Sequence, residues 1–138
     1  MVAYNKFEQY VEDLAHQVHG QDTDQFTVAL MASAPDAALD AVLADITEIN
    51  YSNLSARDIT TNTSAQASGV YKLVLTDLVL TASAAVATFR YVVIYNNTPG
   101  APLDPLIAWY DHGSNVTLAN GETFTIDFDD SNGFHQIT

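Results

Sequence analysis

The sequence predicts a mainly β fold: an antiparallel β-sandwich, with the jelly roll as one form of it, and an N-terminal amphipathic helix. Three observations carry this. Short runs rich in Val, Leu, Ile and Tyr recur at roughly ten-residue spacing past Ile46. Gly, Asn, Ser and Pro clusters separate those runs. The first segment instead repeats its apolar residues with a helical period.

In that segment Phe7, Tyr10, Val11, Leu14 and Val18 form one stripe of period 3.6, so the helix has a single face to bury. Asn5 is placed to cap it, Glu8, Glu12 and Asp13 suit its positive end, and His19-Gly20 is a stop. Residues 1–20 thus read as a helical arm, which covers an open end or packs on a neighbouring subunit. Phe26, Val28 and Leu30 alternate with Thr27 and Ala29, a strand pattern that opens the β region at residue 26. Ala34-Pro35-Asp36 begins a short helix or turn near 36–44.

Past Ile46 everything reads as β. Val70–Leu75, Leu78–Leu80, Phe89–Tyr95 and Leu106–Tyr110 are the strand runs. Turns are expected at Ala67-Ser68-Gly69, Thr81-Ala82-Ser83, Asn96–Gly100 and Asp111-His112-Gly113. Val116–Leu118 and the alternating Phe124, Ile126 and Phe128 flank Asn120-Gly121, the strongest short-range hairpin signal. The Ser/Thr/Asn-rich stretch 60–69 reads as a long loop. No repeat or linker divides the 138 residues, so one domain is expected.

Composition bounds the partners. Hydrophobic residues are 48% of the chain, enough for a core and too many for a disordered acidic segment. Four Lys+Arg against 17 Asp+Glu leave a net charge of −13, so a nucleic acid or an anionic membrane surface is a poor partner. There is no cysteine, hence no disulfide and no thiolate chemistry. The first twenty residues lack the pattern of a secretory signal, and no apolar run is long enough for a membrane helix. Asn50, Asn53, Asn62, Asn96 and Asn115 start glycosylation triplets, which read here as Ser/Thr/Asn-rich strands and turns.

Sites are sparse. Glu12, His16 and His19 lie one turn apart on the predicted helix and could hold a metal, although imidazoles near a helix C-terminus are equally explained by the dipole. Asp127, Asp129 and Asp130 before Asn132-Gly133 resemble a calcium loop, but Asn132 and Thr138 stand where an EF-hand needs Gly and Glu. Asp111, His112 and Ser114 contain the residue types of a hydrolase triad, but neighbours in one turn do not converge on a nucleophile. No catalytic residue, cofactor or metal is therefore assigned. Trp109, Tyr110, Tyr91 and Tyr95 read as core or interface aromatics, with a glycan surface as the other reading. Arg90 and Lys72, cations within strands, should each meet a carboxylate. The interface candidates are Phe7, Tyr10, Val11, Leu14, Trp109 and Tyr110.

The runs Phe89–Asn97, Pro105–Ser114 and Val116–Phe128 resemble a family of small tailed-bacteriophage virion proteins. The N-terminal pattern Tyr4–His16, the Val28-Ala29-Leu30 strand and Val42–Ile49 are similar to the same group. That family often has an aromatic after Trp-x-Asp, where this chain has His112. The resemblance implies a non-enzymatic virion component, most like a capsid decoration (cement) protein outside the shell, homo-oligomeric and bridging major capsid subunits. A tail- or fibre-associated protein, touching host-surface glycans, is the alternative it leaves open.

Overall fold

The apolar runs form the middle of a five-stranded antiparallel sheet. The computed structural model describes residues 2–138. Its strands are β1 (Asn5–Lys6), β2 (Phe26–Met31), β3 (Asp58–Ile59), β4 (Thr61–Ala67), β5 (Val70–Leu75), β6 (Leu78–Thr81), β7 (Val86–Asn96), β8 (Leu106–Leu118), β9 (Thr123–Ile126) and β10 (His135–Ile137). One helix, α1 (Glu8–Ala15), follows β1, and a single 3-10 turn covers Leu43–Asp45. The fold is mainly β, 47% strand and 8% helical. The sheets run β1-β8-β7-β2-β3, β10-β5-β4 and β6-β9.

One cluster of buried side chains joins the three sheets in a sandwich-like arrangement. It takes Val28, Leu30, Val93 and Ile94 from the large sheet, Leu73 and Leu75 from the second, and Leu80 and Ile126 from the third. All six residues of β2 are buried, so this strand is covered on both faces. Phe7, Phe26 and Phe89 are fully buried, each worth roughly 1.5–3 kcal/mol of transfer free energy.

Several sequence expectations are corrected. The helix spans eight residues and is docked, with Phe7 and Tyr10 in the core. Asn5 does not cap it; Asn5 pairs with Trp109 in β1, and Phe7 precedes the first turn. No side-chain cap is present; two of the four free amides at the helix start, those of Phe7 and Glu8, donate instead to the carbonyls of Ile107 (3.1 Å) and Ala37 (2.9 Å). The chain leaves the helix at Gln17, whose φ is 63°, before the predicted His19-Gly20 stop. The buried face is Phe7, Tyr10 and Asp13, so Val11 is turned outward and 52% exposed.

The stretch 60–69 is no loop. It holds β4, paired with β5 through Ser68-Gly69, which take φ of 53° and 80°. Two successive positive φ values make the type I′ turn that closes a two-residue hairpin. Conversely, residues 46–57 are largely irregular, with one isolated bridge, Leu54 to Ala82, and scattered hydrogen bonds to β2. Asp111-His112-Gly113 does not end a strand. β8 continues through it as a large bulge, with residues 112–115 opposing Arg90 between the Tyr91–Asp111 and Phe89–Val116 pairs. Asn120-Gly121 turns the chain but makes no hairpin, since β8 pairs with β7 and β9 pairs with β6. At that turn only Gly121 has positive φ (84°), and a I′ hairpin turn requires two such residues.

Candidate functional site

Tyr4, next to β1, and Tyr110 on β8 meet edge to face at 6.1 Å between ring centroids. Tyr4 also meets Phe134 at 5.4 Å, and Phe134 meets Phe128 at 5.9 Å. Across from them His112 stands on the Phe124 ring at 5.4 Å. These aromatics line a groove of about 690 Å³, together with Val92, Asp127 and Asp129. His112 opens the bulge in β8, directly after the Tyr91–Asp111 pair. Burial pushes the Tyr4 hydroxyl up to about 12 and raises that of Tyr110 as well, so both stay neutral donors at physiological pH. An aromatic wall with neutral hydroxyls can bind a flat or apolar group.

A second polar cluster lies under α1. Tyr10 is flanked edge to face by His19 at 5.0 Å and His135 at 5.5 Å. Its hydroxyl accepts a hydrogen bond from Gln21. The Asn96 amide donates to Asp24 (2.6 Å) and lies 3.0 Å from His19 Nδ1, which places the proton of a neutral ring on Nε2. His19 Nε2, His135 Nε2 and Asp13 Oδ2 are buried without partners. Burial holds the His19 pKa low against the pull of Asp13 and Asp24. Burial, helped by Lys6, does the same to His135.

The metal candidates are not brought together. Glu12 and His16 form an exposed pair at 3.7 Å, whereas His19 points into the core beside Asn96. Asp129 accepts from the amides of Ser131 and Asn132, at 2.8 Å each, and so holds a turn. Those bonds, the Asn132 contacts foremost, keep its pKa below the usual carboxylate range. Asp127 is exposed on the chain leaving β9. Among the described residues, no group of three or more His, Cys, Asp or Glu is placed to hold a metal ion.

The triad residue types also diverge. Asp111 accepts two hydrogen bonds from Arg90, at 2.7 and 2.9 Å, and one from the Gly113 amide, while His112 turns to Phe124. Arg90 thus meets the expected carboxylate. Lys72 instead donates to the Ser131 carbonyl at 2.9 Å. The strand aromatics divide between faces: Tyr110 lines the groove, whereas Trp109 packs on Tyr91 at 6.1 Å with its indole N–H buried and unpartnered. Tyr95 is buried. Of the interface candidates, Phe7 and Tyr10 are enclosed by their own chain, Leu14 and Trp109 are half-buried, and Val11 is exposed.

Sequence reasoning missed both the groove and a cluster on β2. There Arg57 lies over the Tyr51 ring at 3.7 Å and beside Glu48 at 3.7 Å, with Tyr51 donating to Glu48 at 2.8 Å. One signal was readable: Arg57 is among only four cations and lies outside each named strand run of the sequence. Comparison with protein-family models, curated proteins and solved structures finds no match for this chain.

Proposed function

We propose that this chain is a non-enzymatic structural component of a tailed-bacteriophage virion, and within that class a capsid decoration protein. It binds the outer shell and bridges major capsid subunits. The observation that carries this reading is where the family-like runs fall. The C-terminal runs fall on β7, β8 and β9, and the N-terminal ones on β1, α1, β2 and the 3-10 turn, all elements of the fold itself. The reactive residue types in the C-terminal runs hold that fold: Arg90 clamps Asp111 across the bulge, and Glu122 accepts from the Ala119 amide at 2.7 Å in the turn. A rigid frame whose polar groups serve its own turns suits a protein that acts by shape at many identical sites, where weak contacts add through multivalency. The net charge of −13 favours a water-facing position outside the shell over contact with packaged DNA.

The test is addition of purified protein to undecorated heads. Saturating protein raises their rupture temperature, and density for it appears on the shell in a reconstruction. Unchanged rupture temperature with a bare shell ends the capsid reading.

The aromatic groove favours a second reading, a tail- or fibre-associated protein contacting host glycans. Aromatic side chains and neutral hydroxyls together suit the apolar patches and hydroxyl groups of sugars. Glycan-array binding that disappears in Tyr110→Ala, with labelling confined to the tail tip, selects this reading over the first. Trp109 lies on the other face of the sheet from Tyr110, so Trp109→Ala serves as the control.

A further inference from the structure

β4 is the longest strand at the end of a sheet among the described residues; β8 also runs unpaired past β1 from Tyr110 to Leu118, but that stretch holds the bulge and carries Asp111 and His112. The two ends of the large sheet, β1 and β3, have two residues each, β10 has three, and β6 and β9 have four each. β4 has seven and pairs with β5 alone. Asn62, Thr63, Ala65, Gln66 and Ala67 are all exposed. The I′ turn makes Ala67 and Val70 a hydrogen-bonded pair, so the antiparallel alternation points the N–H and C=O groups of Ser64 and Gln66 outward. Soluble proteins blunt such edges with Lys, Pro or a covering segment. This edge has only a register shift between Thr61 and Thr63, at its far end.

Charge narrows the occupant. A chain of net charge −13 repels its own copies, yet no charged residue occurs from Ile59 through Tyr71. We infer that β4 is the pairing edge for a second copy of this chain, the two strands running antiparallel about a two-fold axis. Outward backbone groups demand a strand as partner. Neutrality permits that strand to be β4 itself, because an antiparallel two-fold sets Thr, Ser, Ala, Asn and Gln opposite one another with no like charges in register. The small side chains allow the usual strand spacing of about 4.8 Å. The product joins two three-stranded sheets into one through main-chain hydrogen bonds.

The experiment is sedimentation velocity on the purified full chain over a wide concentration series, beside two variants. Ala65→Glu with Ala67→Glu sets carboxylates along the edge, and Ser64→Pro removes an outward amide that β5 does not use. The wild type is expected to shift from 15.0 kDa toward twice that mass as concentration rises, while both variants stay at the lower mass with wild-type circular dichroism. Amide exchange at Ser64 and Gln66 in the wild type slows in step with the mass, and this readout decides the matter alone if the variants do not fold. A wild type that remains at 15.0 kDa throughout overturns the inference, whether the edge then lies bare or takes a strand from another protein. Variants that dimerise like the wild type overturn it too. The test needs no virion, so its failure leaves the capsid reading standing, and bare heads leave the dimer standing.

Discussion

The edge of β2 and the edge of β4 face the same physical problem and meet it in opposite ways. β2 is apolar and pairs with β3 only at Phe26 and Thr27. Beyond that point the irregular segment 46–57 takes over the ladder. The Arg57 carbonyl accepts from the Val28 amide at 3.0 Å, and the Arg57 guanidinium donates to the Val28 carbonyl. The Tyr51 hydroxyl accepts from the Leu30 amide at 2.8 Å, and the Ile49 amide donates to the Leu30 carbonyl at 3.0 Å. β4 has no such cover. An open edge of Val, Leu and Met invites aggregation, whereas one of Thr, Asn, Ser and Gln pairs reversibly. The chain covers the edge that would be hazardous and leaves the tolerable one free.

Removing the cover should produce the largest loss. Tyr51→Ala deletes a half-buried ring, its stacking with Arg57, and the hydroxyl that accepts from the Leu30 amide. The expected cost is about 3–4 kcal/mol, read as a lower midpoint in urea unfolding. A cost under about 1 kcal/mol would mean that β2 does not depend on this segment. Arg57→Met keeps an apolar stem but removes the donors to the Val28 carbonyl and the charge beside Glu48. About 2 kcal/mol is expected. The two substitutions touch one network, so the double variant should lose less than the sum, and full additivity would break the picture of a single clamp.

The two edges also differ in how well the sequence announces them. β2 and β5 were legible because apolar runs bounded by turn residues have little freedom to be anything else. The type I′ turn was signalled by Ser68-Gly69, yet the strand before it was not, because Thr61–Ala67 lies exposed on both faces and lacks any apolar alternation. The cover of β2 was illegible for a different reason. Its hydrogen bonds come from a side-chain hydroxyl, a guanidinium and isolated backbone groups, none of which leaves a periodic trace. Asn120-Gly121 misled for a third reason: local turn chemistry says that the chain reverses, and tertiary pairing decides which strands then meet. The aromatic groove depends on that pairing too, because Tyr4, Tyr110, Phe124 and Phe134 are far apart in sequence.

Acid sharpens the contrast with a smaller effect. The β2 cover contains Arg57, Tyr51 and Glu48 and no imidazole. The sheet that carries β4 ends at its other edge in β10, where His135 packs on Tyr10 opposite His19. Both imidazoles have pKa values lowered by burial; Asp13 and Asp24 oppose this at His19, and Lys6 adds to it at His135. The unfolded chain therefore takes up these protons first, at about pH 6.5. Stability is complete above that pH and declines as pH falls through it toward the folded-state values. Asp45 and Asp129, held low by backbone amides and, for Asp129, the Asn132 side chain, add their own loss only below about pH 4. Urea midpoints measured across the imidazole window should fall, and amide protection in β10 should fall before that in β2. A flat profile, or an unchanged slope in the His19→Gln/His135→Gln double variant, removes the imidazoles from the account.

The smallest effect is expected at β4, and its smallness is informative. Gln66 is exposed, and its side chain accepts one bond, from the Gly69 amide at 3.2 Å in the hairpin turn. Gln66→Ala removes that contact without touching the backbone, so the folded monomer should change by no more than about 0.5 kcal/mol. If the edge pairs through main-chain groups, the dimer should survive this substitution almost unaltered, because the N–H and C=O of residue 66 remain. If Gln66→Ala instead dissociates the dimer as fully as Ala65→Glu with Ala67→Glu, the side chain is the contact and the ladder is not. A two-fold pairing built on Gln66 side chains would then place the axis near residue 66, and Ser64→Pro should leave it intact. The same three variants, compared by mass, thus separate a backbone-paired edge from a side-chain interface at the same strand.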